Sequence, residues 1–475
     1  MELKDKLFNL REKIVNNNIW RQKECINLIP SENTPSPLVK MCEISDPSGR
    51  YAEHKRALKK EREAMMGSKA LKGDQIYYYQ GTDFIYEIEE MVKEEFAKYI
   101  GGTEVEPRPV SGQMANEIVF KSMIKFIKKG VDGIPAPGDC GRMRTVMNNH
   151  LNYGGHLSAQ PFGALFNMVE EDVINFPISK DNMYKIDVEE MKKLVEKHRP
   201  TLIVFGKSMF IHREPVKELK EFLDTIPNYR PVIMYDAAHV MGILGKYFQD
   251  PLSEGADVVT GSTHKTFFGP QRGIIASNMS KGSDLRKLWL EINTRAFPGS
   301  TSNHHLGTLL ALLVATLEMN YFKEEYQKKV VSNAKSFAKY LKDRGIDVEG
   351  DASLGYTETH QVLIRVSKYG DGKDIATKLE ENNIITNYQA LPDDETFYHP
   401  SGIRMGVQEM TRFGMEEGDF EYVAEFIADV IKGKSGVKEE VKKFRKNFLE
   451  MKYTLSPEES SQFISEIYES IFHKL

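Results

Sequence analysis

The sequence predicts an α/β protein: a large domain with a mostly parallel sheet flanked by helices, plus a smaller C-terminal α/β domain. Two observations carry this. The runs TLIVFG (201–206), PVIMYD (231–236), ADVVTGS (256–262) and GIIAS (273–277) have the length of strands and the composition of strands covered on both faces. Between the first two lies EPVKELKEFLDTI (214–226), whose apolar residues fall at helical spacing. Strands alternating with helices imply right-handed crossovers and a parallel sheet. In such sheets ligands collect beyond the carboxyl ends of the strands.

The remaining elements follow in chain order. MELKDKLFNLREKIVNNNIW mixes charged and apolar residues at helical spacing and lacks the apolar core of a signal peptide. It opens an N-terminal arm and helix, 1–50, ahead of a large domain at 51–305. The most hydrophobic stretch, LGTLLALLVATLEM (306–319), is too short to span a bilayer and contains Gly307, so it reads as a buried helix. Beyond a helical region reaching about 345, QVLIRV (361–366) and GIRMG (402–406) read as strands. DIATKLEENN (374–383) and a segment near 416–433 read as helices, which gives a smaller domain at 306–434. A charged, helical tail occupies 435–475. The basic run HKRALKKEREAMMGSKALKGDQ (54–75) favours a surface excursion, with a contact to an anionic ligand or a partner subunit as the alternative.

Composition narrows the function classes. The 475 residues are 40% hydrophobic and 28% charged, with a net charge of −5 and no dominant block of one sign. That describes a globular chain with a sizeable core, and it does not point to nucleic acid or an anionic membrane. Cys25, Cys42 and Cys140 are widely spaced and form neither a metal-ligand pattern nor a disulfide framework. A reducing, cytoplasmic setting without a metal site is expected.

Lys265, in TGSTHKTFFGP (260–270), lies just past an apolar run, an odd place for a structural charge. A lone loop lysine is ordinarily a solvated charge. Its upstream company changes that: Asp236 ends the preceding run and His239 follows in DAAH. If both runs are strands of one sheet, Asp236 and Lys265 open onto the same edge. Pyridoxal phosphate needs that pair, a lysine amine for its aldehyde and a carboxylate for its pyridine nitrogen. Its phosphate needs an anion site, and Ser111-Gly112-Gln113 opens a long amphipathic helix whose N-terminal amides and dipole supply one. YGGH (153–156) places Tyr153 and a histidine around paired glycines, where backbone can approach a flat ring.

Taken together, INLIPSENTPSPLV (26–39), RYAEH (50–54), YYYQG (77–81), SGQMAN (111–116), GGHL (154–157), DAAHVMG (236–242), STHKTFFGP (262–270), FPG (297–299) and SGIRMG (401–406) resemble, in order, the serine hydroxymethyltransferase family. The resemblance runs from about residue 10 to 430 and implies a fold-type-I pyridoxal-phosphate enzyme. It implies that Lys265 is the Schiff-base lysine and Asp236 the pyridinium partner. His239 and Ser208 match groups near the ring hydroxyl, with His264 beside the lysine. Ser111 and Gly112 match the phosphate segment, and Arg404 the grip on the substrate carboxylate, a task suited to a planar bidentate donor. Ser31 and Glu53 match residues facing the substrate hydroxyl, Glu53 as proton-transfer candidate. Tyr51 and Tyr79 match tyrosines that reach the neighbouring subunit's site, which implies a homodimer or a dimer of dimers acting on a small amino acid.

Several positions depart from the family pattern. Tyr153 stands where a stacked histidine belongs, and the loop after FPG reads STSNHH (300–305) rather than glycine-rich. Gln271 replaces an arginine, which moves to Arg272, and Gln389 replaces an asparagine that meets the folate pteridine. The linker 54–77 is long. Two reactions therefore stay open: Cα–Cβ cleavage of serine with one-carbon transfer to a reduced pterin, or a folate-independent aldolase or transaldolase on threonine-type substrates.

Overall fold

The computed structural model describes residues 2–472. Its contacts separate into two compact units, Asn33–Lys323 with Thr454–Leu475, and Met1–Glu32 with Glu324–Tyr453.

The larger unit is built on a seven-stranded sheet. Its strands are β1 (Glu104–Glu106), β2 (Met143–Asn148), β3 (Val169–Asn175), β4 (Leu202–Gly206), β5 (Val232–Asp236), β6 (Val258–Ser262) and β7 (Gly273–Ser277), in the spatial order β1-β7-β6-β5-β4-β2-β3. The five strands from β6 across to β3 pair in parallel, whereas β7 is antiparallel to both β6 and β1. Every residue of β4, β5, β6 and β7 is buried, as their unbroken apolar runs predict. The antiparallel β7 has a simple cause: only ten residues separate Ser262 from Gly273, too few for a crossover helix. The edge strand β3, VEEDVIN, carries three acids and is only partly buried, so it lacks the apolar signature of the central strands.

Two helices matter for the site. α1 (Asp83–Ile100) buries Ile85, Val92 and Phe96, and also Glu89. α2 (Gly112–Ile127) is capped by Ser111, whose Oγ accepts from the Met114 amide at 3.1 Å, and packs Ile118, Val119, Met123 and Phe126 into the core beneath the sheet. The helix Leu306–Asp343 is longer than its hydrophobic start suggests, at 38 residues. Leu306, Leu309, Leu312 and Met319 in it are fully buried. Among the described residues no helix is long and apolar enough to cross a membrane.

The smaller unit holds a four-stranded antiparallel sheet of β8 (Asp347–Val348), β9 (Gln361–Arg365), β10 (Asn387–Gln389) and β11 (Gly402–Gly406), ordered β8-β9-β11-β10. Helices Gly372–Glu381 and Asp419–Ile431 accompany it. The N-terminal segment belongs here too, because Ile26–Asn27 pairs in parallel with Ile384–Ile385.

Candidate active site

Four strands of the large sheet, β2, β4, β5 and β6, run parallel and end on one edge, and the segments that follow them carry the predicted residues. Asp236 closes β5, paired with Gly206 of β4 on one side and Thr260 of β6 on the other. Gly206 is required there, since a Cβ would lie 2.7 Å from that of Asp236. Asp236 is 2% exposed. Its Oδ2 accepts from Asn116 Nδ2 of α2 at 2.7 Å and lies 2.9 Å from His156 Nδ1, while Oδ1 accepts the Ala238 amide at 3.0 Å. Burial alone would raise this carboxyl, but the charge and hydrogen bond of His156, with Asn116 and Ala238, outweigh it and bring it down to about 2. The edge thus holds a buried carboxylate that stays ionised.

Lys265 follows β6 by three residues and is half-buried. Its carbonyl accepts Asn33 Nδ2 at 2.8 Å. The neighbouring Thr266 donates its hydroxyl to the His239 carbonyl at 2.8 Å and accepts the Gly242 amide at 3.0 Å. Gly242 lets the two backbones touch, for a Cβ there would lie 2.1 Å from the Thr266 carbonyl. The turns carrying Asp236 and Lys265 are therefore fixed to each other. His239 is buried, with its ring 6.2 Å from that of His156. His264 is drawn down to about 4 by burial and then by Lys265, and its buried Nδ1 has no hydrogen bond among the described residues.

Ser111, Gly112 and Gln113 start α2 against the end of β6: a Cβ on Gly112 would lie 2.7 Å from Ser262 Oγ, while Ser111 and Gln113 are exposed. Tyr153 is half-buried with its ring 5.3 Å from His150. The Ser208 amide donates to the Gly154 carbonyl at 2.7 Å, and the His156 amide to that of Gly206 at 3.0 Å, so the 153–156 turn hangs from the end of β4. Tyr51, Glu53 and Tyr79 form a separate cluster. The Tyr51 and Tyr79 rings are 5.3 Å apart, and burial, followed by the charge of the nearby Glu53 carboxylate, raises the Tyr79 phenol.

Ser31 and Arg404 belong to the smaller unit. The segment before Ser31 is held to β11 by the Gly406 amide on the Leu28 carbonyl at 2.7 Å. Gln408 Nε2 donates to the Ile29 and Glu32 carbonyls at 2.9 and 2.7 Å. Arg404 Nε donates to Asn387 Oδ1 at 3.3 Å, and burial draws the guanidinium down to about 10.

Sequence reasoning missed His156, Asn116 and Ser158, which surround Asp236; Ser158 Oγ lies 2.6 Å from both Asn116 Nδ2 and His156 Nδ1. The signal was present, since Asn116 and His156 sit inside SGQMAN and GGHL, and a carboxylate buried at a strand end requires donors.

A sequence-family model of serine hydroxymethyltransferase matches residues 9–427. The chain belongs to the serine hydroxymethyltransferase family. A serine hydroxymethyltransferase of Pyrobaculum aerophilum is 39% identical over 97% of this chain and 96% of its own length. One of Staphylothermus marinus is 40% identical over 96% of each. Among solved structures, the L-threonine transaldolase of Pseudomonas fluorescens in its internal aldimine state superposes with a TM-score of 0.78 at 26% identity, covering 98% of both chains. As a serine hydroxymethyltransferase-like chain it is a pyridoxal-phosphate enzyme with the fold-type-I architecture.

The residues fit that cofactor. The edge offers an ionised buried carboxylate for a protonated ring nitrogen and a lysine whose turn is fixed to the carboxylate's turn by the neighbouring Thr266. A buried, unpartnered His264 Nδ1 lies beside the lysine.

Proposed function

We propose that the chain cleaves and forms the Cα–Cβ bond of serine reversibly, giving glycine and passing the one-carbon unit to a reduced pterin. The observation carrying this reading is Asp236, buried yet ionised at the end of β5 and coupled through Thr266 to the Lys265 turn. Bound pyridoxal phosphate supplies an electron sink for the pair released at the substrate Cα. Lys265 Nζ holds the cofactor and moves the proton at Cα. Asp236 would keep a proton on the ring nitrogen, and His239, Ser208 and His264 would line the ring's site. Ser111, Gly112 and Gln113 would receive the phosphate at the start of α2, and Tyr153 would stack on the ring. Arg404 pairs with the substrate carboxylate. Glu53, with Ser31, Tyr51 and Tyr79, takes the proton of the substrate hydroxyl.

A second reading, folate-independent cleavage of threonine-type substrates, is favoured by the transaldolase likeness. It is also favoured by Gln389, which stands half-buried where the family has an asparagine. Glycine release from serine and from threonine across a tetrahydrofolate titration separates the two. Saturable stimulation with serine supports pterin use; threonine cleavage without stimulation of serine supports the second reading.

We also place the chain in the cytoplasm as a homodimer. The reduced state of Cys25, Cys42 and Cys140 supports the first, and Leu3–Ile19, a helix with no buried residue, supports the second. Mixing Lys265→Ala with Tyr51→Phe protein tests shared sites. Restored activity supports them, and none speaks against them.

A further inference from the structure

The basic run at 54–75 folds as an excursion whose two ends meet. His54–Arg56 and Gln75–Tyr77 form an antiparallel pair with His54 opposite Tyr77, and Leu71–Lys72 adds a third strand. Part of its charge is paired: Lys55 Nζ lies 2.6 Å from Glu61, Arg56 Nε 2.9 Å from Asp74, and Lys72 pairs with Asp83 at the start of α1. At its base the excursion is buried. His54 and Tyr77 are each 2% exposed and their rings stack at 4.5 Å and 18°.

Both rings meet one carboxylate on α1. His54 Nε2 lies 3.2 Å from Glu89 Oε1, and the Tyr77 hydroxyl donates to Glu89 Oε2 at 3.0 Å. Glu89 is 1% exposed. Burial would raise its carboxyl, yet His54 and Lys93 hold it well below the usual range. The His304 ring stands edge-on to His54 at 6.0 Å, and Arg108 donates to the His54 carbonyl at 3.3 Å.

Glu53 precedes His54, and Tyr78 and Tyr79 follow Tyr77. The pairing extends one step to Glu53 and Tyr78, because the Tyr78 amide donates to the Glu53 carbonyl at 3.0 Å. Successive side chains of a strand point to opposite faces. With His54 and Tyr77 turned inward onto Glu89, Glu53 and Tyr78 are turned to the opposite, more exposed face. A slip of one residue would exchange those faces.

We propose that Glu89 is a positioning residue for Glu53: by gripping His54 and Tyr77 it fixes both ends of the excursion, and with them the register that pairs Glu53 with Tyr78. This rests on the proton-transfer role given to Glu53 above. It gives the excursion's base a function while its outer part stays a solvated surface.

The test compares two reactions of the holoenzyme. Cleavage of a β-hydroxy amino acid needs its hydroxyl proton removed, whereas exchange of the glycine α-proton with solvent does not. Glu53→Gln, Glu89→Gln and Tyr77→Phe are measured in both, by glycine release and by NMR in deuterium oxide. A misplaced catalytic group costs on the order of 10²-fold, so Glu53→Gln and Glu89→Gln lower the kcat of cleavage by roughly that factor, with glycine exchange within about twofold. Tyr77→Phe, which keeps the stacked ring, gives a smaller loss of the same selectivity. Selective loss in Glu53→Gln but not in Glu89→Gln overturns the positioning role alone, as does equal loss of both reactions in Glu89→Gln. No selective loss in Glu53→Gln overturns the Glu53 assignment and the proposal with it. Should Glu89→Gln not fold, Tyr77→Phe decides, and unchanged cleavage in that variant overturns the proposal.

Discussion

At the carboxyl edge of the large sheet, Asp236 is buried and meets donors from α2, from the 153–156 turn and from its own turn. Glu53, in the segment before the 54–77 excursion, is half-buried, its carbonyl bonded to the amide of Tyr78, which is 53% exposed. Both are carboxylates on extended backbone. The first is fixed by the sheet itself, since β4, β5 and β6 must pair for the core to close. The second is fixed by a local device, the grip of Glu89 on two buried rings. A group that must stay ionised in a dry place is held by many donors; a group that must exchange a proton keeps contact with solvent.

The largest effect that could break this comparison lies at Lys265. Lys265→Ala should abolish turnover and leave no cofactor covalently fixed after borohydride reduction, as read by peptide mapping. Cofactor fixed to another lysine would remove the edge from its central place. Next comes Arg404. Its replacement by Ala should weaken amino-acid binding by about 1.5–3 kcal/mol, and Lys should restore only part of it because an ammonium lacks the bidentate fork. Titration calorimetry with glycine checks this, and unaltered affinity in Arg404→Ala would contradict the assignment.

A smaller effect is expected at Asn303, which brackets Tyr51: its amide donates to the Arg50 carbonyl at 2.6 Å and its oxygen accepts the Ala52 amide at 3.3 Å. Asn303→Ala should cost about 1–2 kcal/mol of stability for two hydrogen bonds, read from urea midpoints. A loss of that size without any change in cofactor binding sharpens the contrast between the two regions.

Much of the edge was legible before any coordinates. The four apolar runs, Lys265 three residues past one and Asp236 at the end of another, pointed to cofactor chemistry at one edge, because parallel strands collect their loops at one end, and the family resemblance carried it to pyridoxal phosphate. Less visible was what keeps Asp236 ionised: Asn116 and His156 come from distant segments that only folding brings together. The excursion was opaque for another reason. Its base is made by four residues, His54, Tyr77, Glu89 and His304, whose pairing is neither periodic nor local, while its charges pointed only to a surface excursion, with an anionic ligand or partner contact as the alternative. Two of the smaller domain's four strands, QVLIRV and GIRMG, were read from apolar runs, but not the short strands Asp347–Val348 and Asn387–Gln389 nor the antiparallel pairing, since nothing in those runs fixes direction.

Acid should separate the two regions least, but measurably. His264 is held at about 4 against an ordinary 6.5, so between those values the unfolded chain binds a proton that the folded chain refuses. Stability present at neutral pH is therefore lost as pH falls through that window, with a slope of at most about 1.4 kcal/mol per pH unit for one proton. Asp236, at about 2 against 3.8, adds its loss only below that. Urea midpoints at pH 7, 5.5 and 4.5 should fall in that order, and His264→Ala should flatten the trend. A trend unchanged by that substitution would assign it to other groups.

The central claim is that an ionised Asp236 at the end of β5 gives the cofactor its power to accept electrons from Cα. Asp236→Asn keeps the shape and the Asn116 contact while removing the charge. The direct measurement is glycine α-proton exchange in this variant, alongside cofactor retention by absorbance. The account predicts retained, lysine-linked cofactor with exchange slowed by about 10²-fold or more, the scale of a lost proton-holding group. Exchange at the unaltered rate with the cofactor still bound would contradict it.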